Sequence, residues 1–265
     1  MMNKSNIFTI NKSMKKIIHA FDTNNEKSLN NDLGEEIVHI LKKWWTTYKM
    51  VPVKITGDIW SHCGEETILK HTEKAEIKST DKILDLGCGI GGPARIIAEK
   101  YNCKIQGIDL DTEAIEVAKA ITKLEGLENL ISYNVCDREN LIFENETFDI
   151  IWEHAGFGSE LQRANTWKES LRVLKNGGKI VSVIEPKFLE QIVNLGISEV
   201  TYYSYYTDLR KYNIKKFVSA LESNKEEIIN RTGETNYFAW YNQKLSDMKR
   251  TELPSYKIGL VVAIK

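Results

Sequence analysis

Cysteine is scarce in this chain of 265 residues: Cys63, Cys88, Cys103 and Cys136 are the only four. None forms a CxxC pair, which excludes a zinc ribbon and a disulfide framework and points to buried, reduced thiols. No metal site is expected. An excess of one charge is also missing. Against 36 basic residues stand 37 acidic ones, a net charge of −1, so no strong field for nucleic acid or an anionic membrane is expected. Apolar runs stop well short of a membrane span. Residues 1–20 lack the apolar core of a signal peptide, so a cytoplasmic location is expected. There are no internal repeats. What is present is ordinary globular composition, 42% hydrophobic and 28% charged. The length suits one large domain, or a core with an added cap.

Residues 1–35 are polar and rich in Asn and Lys, and read as a mobile arm or an irregular helix. Residues 36–50 carry apolar side chains at helical spacing, with Ile37, Ile40, Leu41, Trp44, Trp45 and Tyr48 on one broad face, and Pro52 ends the run. Residues 64–75 read as a second helix with Ile68 and Leu69 inward. From residue 81 short apolar strands alternate with helices. Strands fall at 82–86, 104–108, 130–134, 148–152 and 179–184; helices fall at 91–100, 112–125, 166–174 and 187–195. That alternation implies βαβ units and a parallel sheet with helices on both faces. The last third breaks the rhythm. A strand at 199–206 precedes two helices within 210–250, interrupted near Thr232-Gly233. A very apolar final strand at 257–264 should pair antiparallel inside the sheet.

The most informative run is Ile83-Leu84-Asp85-Leu86-Gly87-Cys88-Gly89-Ile90-Gly91-Gly92. A strand feeds a glycine-rich turn and a helix follows. Glycines there let the backbone approach a ligand, and the helix N-terminus offers free N–H groups. Gly87, Gly89 and Gly92 also satisfy the dinucleotide fingerprint GxGxxG. Three features favour a different ligand. Asp85 would repel a pyrophosphate but suits a cationic amino-acid moiety. Some 80 residues precede the turn, whereas dinucleotide folds usually open with it. Asp109 ends the next strand, where it can accept hydrogen bonds from ribose hydroxyls, and Asp137 ends the strand after that, where it can accept from an adenine amino group. An Asp after a strand is often only a turn or cap residue, and Asp111 is the better cap for the helix at 112. Three acids at three successive strand ends, however, line the edge at which open α/β sheets bind ligands.

With these residues in place, the chain resembles the class I S-adenosylmethionine-dependent methyltransferases, especially the small-molecule branch of quinone, sterol, sarcosine and phosphobase enzymes. The resemblance covers about residues 55–265. It rests on Ile83 to Gly92, on Gly107-Ile108-Asp109, on Phe148-Asp149-Ile150-Ile151-Trp152, and on the helix–turn at 171–179, where Asn176 replaces the usual Pro. It implies S-adenosylmethionine as cofactor and a three-layer, Rossmann-like α/β fold. The sheet would have seven mostly parallel strands with the last antiparallel, under a helical cap. It also implies that Asp85, Gly87 and Gly89 contact the methionine part, Asp109 the ribose, and Asp137 and Arg138 the adenine, with Gly91 and Leu110 also at the cofactor.

Methyl transfer displaces a neutral thioether, so no acid is required; alignment and exclusion of water dominate. A base matters only where the acceptor must lose a proton. After the fourth strand comes Trp152-Glu153-His154-Ala155-Gly156-Phe157. The Asn/Asp-Pro-Pro-aromatic run of nucleobase amino-methylating enzymes is absent. The Asp and His of phosphobase enzymes correspond to Ala155 and Ser159, which speaks against a phosphobase acceptor. His154 is the candidate base. Glu153 is the candidate to orient it, to bind a cationic amine or to contact the cofactor. Alternatively one of the two contacts the cofactor and the other makes a structural bond. Trp45, Tyr48, Trp60, Phe157, Glu185, Tyr206 and Tyr241 are the candidate acceptor residues, an aromatic and acidic set suited to an amine or a planar ring.

The expected organisation is an N-terminal arm with cap helices over 1–60 and a core over 61–265, with a cap insertion at about 207–252. The expected function is methylation of a small molecule, at nitrogen by preference, then oxygen or carbon, without nucleic-acid or membrane partners. The alternatives are an RNA or protein methyltransferase, or a non-catalytic module that binds the cofactor for regulation.

Overall fold

Four of the five residues of β1, Lys82–Leu86, are buried. A strand covered on both faces belongs in the middle of a parallel sheet, and β1 lies there. The computed structural model describes residues 12–45, 64–154 and 160–265. It contains a seven-stranded sheet of β1, β2 (Lys104–Asp109), β3 (Ile131–Val135), β4 (Phe148–Glu153), β5 (Leu174–Ile184), β6 (Glu199–Tyr203) and β7 (Gly259–Ile264). Their order is β3-β2-β1-β4-β5-β7-β6. β1 through β5 pair in parallel, and β7 runs antiparallel between β5 and β6.

Side chains alternate across the sheet. Ile83, Ile105, Ile131 and Ile150 face α4 (Gly64–Ala75), α5 (Gly92–Tyr101) and α6 (Thr112–Leu124). Leu84, Leu86, Ile108 and Ile151 share the other face with Trp167 and Val173 of α7 (Glu160–Val173) and Ile192 of α8 (Leu189–Val193). The layers are those anticipated from the βαβ rhythm. Asp111 caps α6 by accepting from the Ala114 N–H at 3.1 Å, which leaves Asp109 free for another role.

Two regions differ from the sequence reading. Residues read as a mobile arm or an irregular helix form two regular helices, α1 (Lys12–Asp22) and α2 (Lys27–Leu33), followed by α3 (Glu35–Trp45) where a helix was expected. Met14, Ile17, Ile18 and Phe21 make an apolar stripe at helical spacing, which a high content of Asn and Lys conceals. All three helices pack on α6 in one cluster that also takes in Ile90 of the glycine turn. The segment between β6 and β7 holds three helices instead of two: α9 (Tyr206–Ser223), α10 (Lys225–Thr232) and α11 (Glu234–Glu252). The break at Gly233, with φ +86°, was expected; the one at Asn224 was not. Tyr206 opens α9 instead of ending β6. Among the described residues no helix is long and apolar enough to cross a membrane.

Candidate cofactor and acceptor site

Register sets the site. Leu86 of β1 pairs with Ile108 and with Glu153, and Glu153 pairs with Ser182. The carboxyl ends of β2, β1, β4 and β5 therefore stand side by side, and the loops that leave them open onto one edge. From β1 the chain enters its turn with Gly87, Gly89 and Gly91 at φ +70°, +53° and +78°. The N–H groups of Gly87 and Cys88 donate to the Ile108 carbonyl at 2.8 and 2.9 Å, which ties the turn to β2.

Asp109 is the second tie. Its Oδ2 accepts from the Gly89 N–H and its Oδ1 from the Asp111 N–H, both at 2.9 Å. Each oxygen keeps a lone pair, so the carboxylate is held in place and can still accept from a diol. Beside it Leu110 is 68% exposed, an apolar surface at the mouth of the turn. Asp137, just past β3, accepts from the Glu139 N–H at 2.9 Å and from the Asn140 amide at 3.1 Å. Arg138 follows it, close enough to act electrostatically on Glu153.

Two carboxyl groups are buried. Asp85 has been pushed up to about 7, first by loss of solvent and then by the charge of Asp109. Its Oδ2 finds no hydrogen-bond partner among the described residues. Glu153 has been pushed up to about 8 by burial, against the opposing pull of a Ser182 hydrogen bond and of Arg138 and Arg163. The Ser182 hydroxyl donates to Glu153 Oε2 at 2.5 Å, and Oε1 is without a partner among the described residues. A buried acceptor left open is costly in the protein alone. A cation arriving at either carboxyl removes that cost.

At the end of β4, His154 stacks on Trp152, with centroids 4.4 Å apart and planes at 26°. Its Nε2 lies 3.0 Å from Nδ1 of His71, which α4 delivers from the other side. Both rings are held neutral. Burial, and then the charge of Lys70, lowers His71 to about 3. Burial, and then His71, lowers His154 well below its usual value. Tyr206 closes over His71 at 5.1 Å.

A family model for a methyltransferase domain matches residues 83–178, the segment that holds the glycine turn and the ends of β1 to β4. Over that segment the chain is similar to methyltransferase domains. It is 26% identical to phosphoethanolamine N-methyltransferase 1 of Zea mays over 238 residues, covering 80% of this chain and 47% of that protein. It is 33% identical to a glycine/sarcosine/dimethylglycine N-methyltransferase of Actinopolyspora halophila over 118 residues, 44% of this chain and 21% of that one. The chain thus spans less than half the length of these curated relatives. Its fold is shared with phosphoethanolamine N-methyltransferase 2 of Haemonchus contortus, solved with phosphomonomethylethanolamine and S-adenosylhomocysteine. There the TM-score is 0.72 at 21% identity, over 85% of this chain and 59% of that chain.

In this methyltransferase fold the residues expected at the cofactor gather at one edge: Asp85, Gly87, Gly89, Gly91, Asp109, Leu110, Asp137, Arg138 and Glu153. Of the expected acceptor residues, Tyr206 stands against the His71–His154 pair. Three others are engaged elsewhere. Trp45 is buried among the N-terminal helices, 5.2 Å from Phe21. Glu185 is a surface carboxylate paired with Lys187 at 2.9 Å. The Tyr241 hydroxyl donates to Glu222 at 2.7 Å, and its ring stacks on Tyr237 within the inserted helices. In each case helix–helix or local surface contacts have taken the side chain. Tyr48, Trp60, Phe157, Ala155 and Ser159 lie outside the described residues. His71 and Ser182 were not singled out from sequence. His71 falls three residues after Ile68 on the inward face of its helix, a faint signal for a polar residue with a task. Ser182 carried none, because its partner is set by strand register.

Proposed function

We propose that this chain transfers a methyl group from S-adenosylmethionine to a small molecule in the cytoplasm, at nitrogen by preference and otherwise at oxygen or carbon. The observation that carries this reading is the buried Asp85 carboxyl with an open oxygen beside the glycine turn, flanked by the strand-end acids Asp109 and Asp137. An α-ammonium group fits the first, a ribose diol the second and an adenine amino group the third. The bound cofactor supplies a methyl group on a positive sulfur whose leaving group is a neutral thioether. Asp85 holds the ammonium end, and the turn of Gly87, Gly89 and Gly91 leaves room for the backbone to approach. Asp109 fixes the ribose, while Leu110, Asp137 and Arg138 border the adenine.

Nitrogen is preferred because an amine acceptor is cationic until it loses a proton, and Glu153 and His154 supply a carboxyl and a base at the acceptor side. The N-methyltransferases among its relatives support the same choice. The N-terminal helices and the insertion over 207–252 act as the cap. They meet where Arg231 of α10 pairs with Asp22 of α1 at 2.6 Å. The near-zero net charge argues against an RNA substrate.

Calorimetry with S-adenosylhomocysteine tests the cofactor half. Binding is expected, and Asp109→Ala should weaken it by about 1–3 kcal/mol through the lost ribose bonds. An unchanged affinity would remove Asp109 from the ribose. Incubation with methyl-labelled S-adenosylmethionine and a pool of small amines, alcohols and acids tests the rest. Tight binding without labelled product across diverse pools would favour a regulatory module.

A further inference from the structure

The pair of imidazoles at the end of β4 has to share one proton, and its surroundings decide where that proton sits. His71 Nδ1 and His154 Nε2 are 3.0 Å apart, so one nitrogen donates and the other accepts. The two outer nitrogens, His71 Nε2 and His154 Nδ1, are both shut off from water, and neither has a hydrogen-bond partner among the described residues. One of them therefore carries a hydrogen and the other a bare lone pair.

Among the described residues, the neighbouring aromatic rings gather on the His71 side of the pair. The His71 ring stands edge-on to Tyr206 at 5.1 Å and 63°, and tilted to Tyr205 at 6.0 Å and to Trp152 at 6.5 Å. A ring N–H is tolerated there, because the negative face of an aromatic attracts it. His154 lies flat on Trp152, so its ring edge, Nδ1 included, points away from that face.

We propose that His71 is a positioning residue: it accepts the Nε2–H of His154 and so fixes His154 in the tautomer whose Nδ1 keeps a bare lone pair. The inference rests on the methyltransferase reading above and names how its base is set. An ammonium acceptor hands one proton to His154 Nδ1 and keeps the electron pair of the broken N–H bond for its attack on carbon. The imidazolium formed donates Nε2–H to neutral His71 and gives up its proton once product leaves and water reaches the site. The titratable groups around the pair are Lys70, which lies over the Tyr205 ring at 4.2 Å and disfavours a proton on His71, and the phenols of Tyr205 and Tyr206. No carboxylate touches either imidazole among the described residues. The pair therefore differs from a His–Asp arrangement: His71 orients and accepts a hydrogen bond but does not take the proton.

Long-range nitrogen–proton NMR of the ring nitrogens reads the tautomer in the free protein, with no acceptor needed. At neutral pH His154 should show a bare Nδ1 and a protonated Nε2. His71→Asn, whose amide oxygen can accept the same bond, should keep that state. His71→Leu should leave a mixture of tautomers and lower turnover of an amine found in the labelled pool by about 10²-fold, with the affinity for S-adenosylhomocysteine unchanged. A protonated Nδ1 in the wild-type protein would overturn the proposal, and so would one tautomer persisting in a folded His71→Leu protein. Loss of S-adenosylhomocysteine binding would instead count against the cofactor reading, so the two failures are separable.

Discussion

At the residue scale, Asp85 combines a need with a signature. Held near pH 7 by burial and by Asp109, it is about half protonated in the free protein at neutral pH. An ammonium group placed against Oδ2 favours the charged form and pulls the pKa down. Binding of S-adenosylhomocysteine at pH 7 should therefore release protons, on the order of half a proton from Asp85. Calorimetry in two buffers of different ionisation enthalpy measures this directly. Asp85→Asn should abolish most of the release and weaken binding. A binding enthalpy independent of buffer would show that no cation reaches this carboxyl. Asp85, Asp109 and Asp137 are legible in the sequence because each lies at or near the carboxyl end of a strand. His71 and Ser182 are not, because what makes them matter is a partner more than 25 residues away, brought close by helix packing and strand register.

At the scale of elements, the β1–α5 turn is the part that sequence described best, and the structure adds why its third glycine is required. Gly91 sits at φ +78°, and a Cβ there would lie 2.3 Å from the Tyr133 hydroxyl and 2.8 Å from Arg95 Nη1. Neither neighbour is loose. Tyr133 bonds Thr122 at 2.9 Å, and Arg95 is buried, donating to the Ile90 carbonyl at 2.8 Å and pairing with Glu125 at 3.3 Å. Gly91→Ala should thus destabilise the protein by about 1–3 kcal/mol, from backbone strain and overpacking together. It should also reduce affinity for S-adenosylhomocysteine by displacing the turn. Thermal denaturation and calorimetry check both effects, and wild-type values in both would mean that the turn relaxes freely. The first two helices, α1 and α2, were the least legible elements. Their apolar stripe is short and set in polar sequence, and its burial depends on a tertiary partner, α6, that no local pattern reveals. The paired breaks in the insertion show the same limit: Gly233 announces itself, whereas Asn224 ends a helix without a glycine.

For the whole molecule, the buried groups of the site leave a mark on how stability changes with pH. Asp85 and Glu153 are raised to about 7 and about 8, while His71 is lowered to about 3 and His154 is also lowered. Above pH 6.5 the histidines are largely neutral in folded and unfolded chains alike and contribute little. The carboxyls behave otherwise. Between pH 6.5 and 8 the folded chain still holds protons that the unfolded chain has lost, so deprotonating the folded state costs stability as pH rises. Below pH 6.5 the carboxyl effect would raise stability on acidification, but the unfolded histidines now bind protons that the folded ones refuse, and the two trends oppose each other. The melting temperature of the free protein should accordingly fall from pH 6.5 to 8 and change less between pH 5 and 6.5. Glu153→Gln should flatten the upper limb. Saturating S-adenosylhomocysteine should flatten it further, because its ammonium group stabilises the ionised Asp85. Scanning calorimetry across this range decides the matter. A melting temperature that rises toward pH 8 would mean that these carboxyls are already ionised in the free protein, and that the charge needed to receive the cofactor is carried by other groups.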